Sequence, residues 1–159
     1  MKDSVIYLPF DWEHTPENLA LLAQCQAVRR TVFVEGQGVP EAVDFDGNDE
    51  CSAHLLILKD TEAIATARIR KTDRGTKLER IAVLPAYRGT GLGEHIVRCG
   101  ISLIDEGLYI HAQMASLGFY TRLGFVQEHA EIFYEADIPH TAMIYPHPEK
   151  EYPCQIIRR

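Results

Sequence analysis

The chain has 159 residues, 46% hydrophobic and 25% charged, which suits one domain with a full core. Its formal net charge of −7 argues against nucleic-acid binding through a general basic field and favours a cationic substrate. No apolar run approaches the ~20 residues of a membrane span, the first ten residues lack the apolar stretch of a signal peptide, and Cys25, Cys51, Cys99 and Cys154 show no C-x-x-C spacing, so free thiols and a cytoplasmic location are predicted.

In chain order, residues 5–8 read as a first strand. Thr15 followed by Pro16 is a helix start, with a hydroxyl at the N-cap and proline at the first helical position. Leu19, Leu22, Ala23 and Gln26 carry that helix to about Phe33. Residues 35–50 hold Gly36, Gly38, Pro40 and Gly47 among acids and predict a long loop with room for one short helical turn. Its acids, Glu41, Asp44, Asp46, Asp49 and Glu50, read either as a solvated surface or as a field that steers an amine cation.

Strands over 53–59, 63–71 and 77–84, with turns at 59–62 and 73–75, predict an antiparallel run of three. A helix over 92–105 then crosses to a strand over 108–113, parallel to the 77–84 strand. A short helix over 115–122 follows, weakened by roughly 1 kcal/mol at Gly118. Two last strands are placed near 126–135 and 141–145, and an irregular tail over 147–159. The expected architecture is one α+β domain over 1–159, with its core at about 5–146 and a mixed, mostly antiparallel sheet flanked by helices. The last strands and the tail offer an edge for a homodimer.

Residues 80–94 carry the most chemistry. Ile81, Ala82, Val83 and Leu84 form an apolar run, which Pro85 stops because it has no N–H for a sheet ladder. Arg88-Gly89-Thr90-Gly91-Leu92-Gly93 then brings three glycines to the start of a helix. Glycine lets backbone N–H groups approach a ligand closely, and a helix N-terminus favours phosphate. A P-loop needs a lysine after the glycines, and none follows. A dinucleotide fold needs an acid at the end of the next strand, where His111-Ala112-Gln113 stands.

The spacing of Arg88, Gly91 and Gly93 resembles the acetyl-CoA pyrophosphate loop of the GNAT superfamily of N-acyltransferases. Phe119-Tyr120-Thr121-Arg122-Leu123-Gly124-Phe125 is similar to a second signature of that superfamily, at the expected distance downstream. The segments 28–34, 38–40, 54–56, 111–113 and 138–143 resemble its ElaA/YjcF-like branch, so the likeness covers roughly residues 20–145. Two departures stand out: Gly36-Gln37 replaces the branch's Glu-Gln, and Gln113 stands where the superfamily often has Asn. The resemblance implies a GNAT fold, acetyl-CoA as co-substrate, and an amine of a small molecule or peptide as acceptor.

Acyl transfer to an amine has definite needs. An alkyl amine of pKa ~10 is only about 0.1% neutral at pH 7, so its proton must be taken. The oxyanion needs fixed N–H donors, and the thiolate benefits from an acid. By resemblance, Ile81, Ala82 and Val83 offer backbone groups on a strand splayed from its parallel neighbour. The implied pyrophosphate contacts are Arg88, Gly89, Thr90, Gly91, Leu92 and Gly93, with Phe119 and Arg122 beside the cofactor.

Tyr120 aligns with a general acid; the residues alone equally allow a core aromatic. Glu79 is the candidate base or water anchor, or else a salt-bridged carboxylate. Strand alternation puts Glu79 with Ile81 on one face and Arg80 with Ala82 on the other. Glu35, Gln37, His54, Gln113 and His140 are the candidate acceptor-pocket residues. The seven histidines show no metal-ligand spacing, so no metal is expected. The reading is an N-acetyltransferase; the rivals are a non-catalytic acyl-CoA-binding or sensing domain and a nucleotide-binding protein.

Overall fold

The computed structural model, which describes residues 4–159, is built on a nine-stranded sheet. β1 (Val5–Leu8), β2 (Ala53–Lys59), β3 (Glu62–Thr72) and β4 (Gly75–Val83) pair antiparallel in succession. α3 (Leu92–Leu103) crosses over to β5 (Leu108–Gln113), which runs parallel to β4. A parallel return needs such a crossover. β8 (Ile138–Ile144) pairs antiparallel with β5, and both β6 (Val126–Gln127) and β7 (Phe133–Glu135) pair with β8. The predicted single strand over 126–135 is thus two short strands.

Helices cover both faces. α1 (Pro16–Arg29) packs on one, and α3 on the other. Leu92, Ile96, Val97, Cys99 and Ile101 of α3 share the main core with Leu55, Ile57, Ala65, Ile69 and Leu78 of the sheet. Leu123 and Phe125, within and just after α4 (Leu117–Leu123), join that core. α1 begins as expected: the Thr15 hydroxyl accepts from the Asn18 N–H at 3.2 Å, worth about 1 kcal/mol. It does not run to Phe33 as α-helix; it widens into a π-helical segment, Arg30–Glu35. A four-residue helix, α2 (Glu41–Asp44), interrupts the acidic loop. Among the described residues no helix is long and apolar enough to cross a membrane.

The tail departs from the irregular chain predicted over 147–159. Ile156–Arg158 form β9, parallel to β1 at the sheet's far edge. Tyr152, Cys154 and Ile156 pack against the main core, and Lys150 Nζ donates to the Ile104 and Asp105 carbonyls at 2.8 Å beyond the end of α3.

Two backbone features position the site. A Cβ at Gly75 would lie 2.4 Å from the Gly107 carbonyl oxygen, so only glycine lets the start of β4 meet the turn before β5. At Arg80 the backbone turns to φ +51, and the β3–β4 register slips: Thr66 pairs Ala82, while Arg68 pairs Glu79. This is a β-bulge, with two residues of β4 facing one of β3. It overturns the alternation expected here. Glu79 shares a face with Ala82, while Ile81 and Val83 turn toward the α3 side.

Candidate active site

β4 and β5 pair only at Thr76–Leu108 and Lys77–Tyr109, then diverge. The edge of β4 that faces β5 from Leu78 onward therefore lacks a strand partner. A cavity of about 760 Å³ opens there, lined by Ile81, Ala82 and Val83 of β4 and by Ile110, His111 and Gln113 of β5. The splay expected from the resemblance is present.

At one end of the cavity lies the glycine loop. Gly91 has φ +88 and stands at the N-terminus of α3 with no side-chain cap. Nothing lies within 4 Å of where a Cβ would stand at Gly89 or Gly91. The loop surface at the N-terminus of α3 is thus open beside Gly89 and Gly91, and a helix N-terminus is where an anion is received. Thr90 Oγ1 donates to the Tyr87 carbonyl at 2.6 Å, which closes the turn on its inner side. Arg88 and Gly93 line the cavity, while Gly89, Thr90, Gly91 and Leu92, between them in the chain, lie outside its lining. Arg88 is exposed and donates through Nε to the Val83 carbonyl at 3.2 Å, and its terminal nitrogens have no partner among the described residues.

Phe119 and Tyr120 of α4 form the adjoining wall. A Cβ at Gly93 would lie 3.7 Å from Phe119 Cζ, an ordinary contact. The Tyr120 ring meets Phe119 and Phe125 edge-on, with centroids 5.0 and 5.8 Å away. Burial pushes its phenol above the ordinary value, so it is protonated at neutral pH. The hydroxyl has no hydrogen-bond partner among the described residues. Arg122, one turn further, is exposed and outside the cavity lining.

The other end is polar. Glu79 is 6% exposed and lies among cations. Its Oε2 accepts from Arg68 Nε at 2.9 Å and Arg70 Nε at 2.8 Å. Its Oε1 lies 3.3 Å from Lys77 Nζ and 3.5 Å from Arg80 Nη1 but makes no hydrogen bond. Burial opposes ionisation, yet the Arg70 hydrogen bond and the charges of Arg68, Lys77 and Arg80 outweigh it and lower the carboxyl to about 2. So weak a base is a poor acceptor for an ammonium proton. The geometry counts against Glu79 as the base and fits a fixed anion that anchors an N–H or a water.

Behind Glu79 the acidic loop is largely an ion-pair frame rather than a solvated surface. Arg68 reaches Asp46 at 2.8 Å and Asp49 at 2.9 Å, and Arg29 reaches Asp49 at 2.7 Å and Asp44 at 3.3 Å. Arg80, at the bulge, binds Asp44 at 3.1 Å and Asp46 at 3.2 Å.

Three of the five acceptor-pocket candidates meet in the cavity: Gln37, Gln113 and His140. The amides of Gln37 and Gln113 pair reciprocally, at 3.3 and 3.1 Å, joining the helical end that follows the π-helical segment to the end of β5. The other two lie elsewhere. His54 is buried in β2 with Nε2 2.7 Å from the Asp49 carbonyl. Burial lowers its pKa to about 4, which keeps it a neutral donor within the ion-pair frame. Glu35 is exposed and outside the lining.

The structure adds two residues that the sequence reading passed over, His111 and Glu135. His111 was within reach, since it stands two positions before Gln113 and strand alternation puts both on one face. Glu135 was not. Its place depends on a two-residue turn, Ala136-Asp137, with φ +51 and +63, which pairs Glu135 with Ile138. The preferred residues for such a turn are Asn and Gly. Among the described residues no group of three or more His, Cys, Asp or Glu is placed to hold a metal ion.

Comparison with known proteins places the chain in a family. Residues 51–127 match the acetyltransferase (GNAT) domain family. The chain is 38% identical over 130 residues to the uncharacterised protein YyaT of Bacillus subtilis, covering 77% of this chain and 86% of YyaT. It is 31% identical over 121 residues to the uncharacterised N-acetyltransferase YjcF of the same organism, covering 74% and 86% of the two chains. The crystal structure of Escherichia coli ElaA superposes with a TM-score of 0.75 at 29% identity, over 89% of this chain and 98% of ElaA. The chain belongs to the GNAT family of acetyltransferases.

Proposed function

We propose that this protein is an N-acyltransferase that moves an acetyl group from acetyl-CoA to a primary amine of a small molecule or peptide, by direct attack in a ternary complex. GNAT acetyltransferases take the acyl group from acyl-CoA and pass it to amines. The observation that carries the reading is the splay of β4 from β5, which joins an open glycine cradle at one end to a polar chamber at the other. The N–H groups of residues 89–93 and the free end of Arg88 suit a pyrophosphate, with Phe119 and Arg122 alongside. The unpaired edge at Ile81, Ala82 and Val83 offers donors to the thioester carbonyl as it becomes an oxyanion. Tyr120 keeps its proton until the sulfur leaves, then donates it. Gln37, Gln113 and His140 surround the acceptor, and Glu79 supplies a fixed anion to the acceptor's N–H or to a water.

Thermal denaturation with ligands tests the cradle. Acetyl-CoA at about 100 times its Kd should stabilise the fold by ~2.7 kcal/mol, or roughly 5–11 °C. ATP and NAD should do far less. Equal stabilisation by ATP or NAD would make this a nucleotide site and overturn the reading. Binding of acetyl-CoA without turnover of any amine would leave a sensing domain.

A further inference from the structure

Arg70, Lys77, Glu79, His111, Gln113 and His140 share one face of the sheet, and β7 brings Glu135 onto it. His111 Nδ1 lies 3.0 Å from Glu135 Oε2. Burial opposes ionisation of Glu135, but the His111 hydrogen bond and the charges of Lys77, His111 and His140 prevail and hold the carboxyl below its ordinary value. An ionised carboxylate only accepts, so Nδ1 carries the hydrogen. Neutral His111 therefore has a bare lone pair on Nε2, which has no partner among the described residues. The ring lines the cavity and is fixed by Phe133, edge-on at 4.8 Å, and by Tyr109 at 5.6 Å.

His140, the other imidazole here, is the less accessible ring, its side chain 9% exposed against 22% for His111. Nδ1 donates to the Ile138 carbonyl at 2.7 Å, and Nε2 lies 3.6 Å from Glu135 Oε1. Glu79 is too weak a base for the task. Imidazole is the side chain whose ordinary range suits a proton acceptor near neutrality. A carboxylate on Nδ1 both fixes the tautomer and stabilises the imidazolium that forms.

We propose that His111 takes the proton from the acceptor amine, with Glu135 as its positioning residue. This rests on the N-acyltransferase reading. The ammonium group R–NH₃⁺ gives one proton to Nε2, and the amine lone pair forms the C–N bond. The C–S bond breaks, the sulfur keeps the electron pair, and it takes the Tyr120 proton. The surplus proton on the new amide nitrogen restores Tyr120 through solvent, and His111 returns its own to solvent. The products are the amide, CoASH and one H⁺. The charged and titratable groups facing His111 are Arg70, Lys77 and Glu79 from β3 and β4, Tyr109 from its own strand, Glu135 from β7 and His140 from β8.

The test uses His111→Gln and Glu135→Gln in the full chain, with spermidine, glucosamine and a lysine-bearing peptide as acceptor probes. His111→Gln should lower kcat about 10²-fold or more, leave acetyl-CoA binding intact, and remove the acid limb of the pH–rate profile. Glu135→Gln should lower kcat at least about tenfold, because the tautomer is no longer fixed. Imidazole nitrogen NMR at alkaline pH should show His111 with its hydrogen on Nδ1, and loss of that preference in Glu135→Gln. An Nε2–H tautomer in the parent protein, or a His111→Gln enzyme with parental kcat and acid limb, overturns the inference alone. A parent that releases no thiol with any probe overturns the acyltransferase reading and this inference with it.

Discussion

Glu79→Gln separates a structural anion from a catalytic base. The substitution keeps the shape and removes the charge that Arg68, Arg70, Lys77 and Arg80 surround. The folded protein lowers this carboxyl from an ordinary 4.5 to about 2. At about 1.36 kcal/mol per pH unit, that difference is worth about 3 kcal/mol of stability. Removing one partner of a buried ion pair costs a similar amount. The midpoint of thermal unfolding should therefore fall by roughly 6–12 °C at pH 7. Because the folded pKa is depressed, the contribution is complete above 4.5 and is lost as the pH falls toward 2. Urea titrations across that window should show the parent and the variant converging. A gap under about 0.5 kcal/mol at pH 7, the scale of a neutral surface change, would refute the electrostatic account. Assayed well below its unfolding midpoint, Glu79→Gln should also keep the acid limb of the pH–rate profile. Loss of that limb here, with its retention in His111→Gln, would make Glu79 the base after all.

Gly91→Asn and Gly91→Asp form a matched pair, since both residues tolerate a left-handed backbone and they differ in charge. Asp should weaken acetyl-CoA binding about tenfold or more beyond Asn, through repulsion of the pyrophosphate; calorimetry giving equal affinities would displace the phosphate from this loop. Tyr120→Phe keeps the edge-on contacts with Phe119 and Phe125 and deletes only the hydroxyl. It should lower kcat about 10²-fold or more with near-normal acetyl-CoA binding. The loss should shrink with a donor whose thiol is more acidic, and a parental rate where chemistry limits would make Tyr120 a packing residue.

Local signals made much of the fold legible. Turn residues around 60 and 74 separate β2, β3 and β4, and the apolar spacing from Leu92 marks α3, so the meander and crossover follow from the chain. What escaped was set by tertiary contacts. Arg80 takes a backbone conformation rare for a side chain, and its ion pairs with Asp44 and Asp46 hold it there; no local pattern announces the resulting bulge. The π-helical widening at Arg30–Glu35 keeps helical residue types and hides in the same periodicity. β9 is three residues long and gains its order from β1. At the site, the glycine spacing and Tyr120 were visible because one segment carries each. The His111–Glu135 pair joins positions 24 residues apart through a hairpin whose turn residues gave no signal. His54 misled because an isolated histidine reads the same whether it meets a substrate or a buried carbonyl.

Amine-dependent release of CoA thiol from acetyl-CoA tests the central claim most directly. With spermidine, glucosamine and a lysine-bearing peptide supplied in turn, the account predicts thiol release above background hydrolysis with at least one of them. Release should match amide formed one for one and fall about tenfold or more in Gly91→Asp, relative to Gly91→Asn, at limiting acetyl-CoA. A protein that binds acetyl-CoA yet releases no more thiol with any of these amines than without would contradict it.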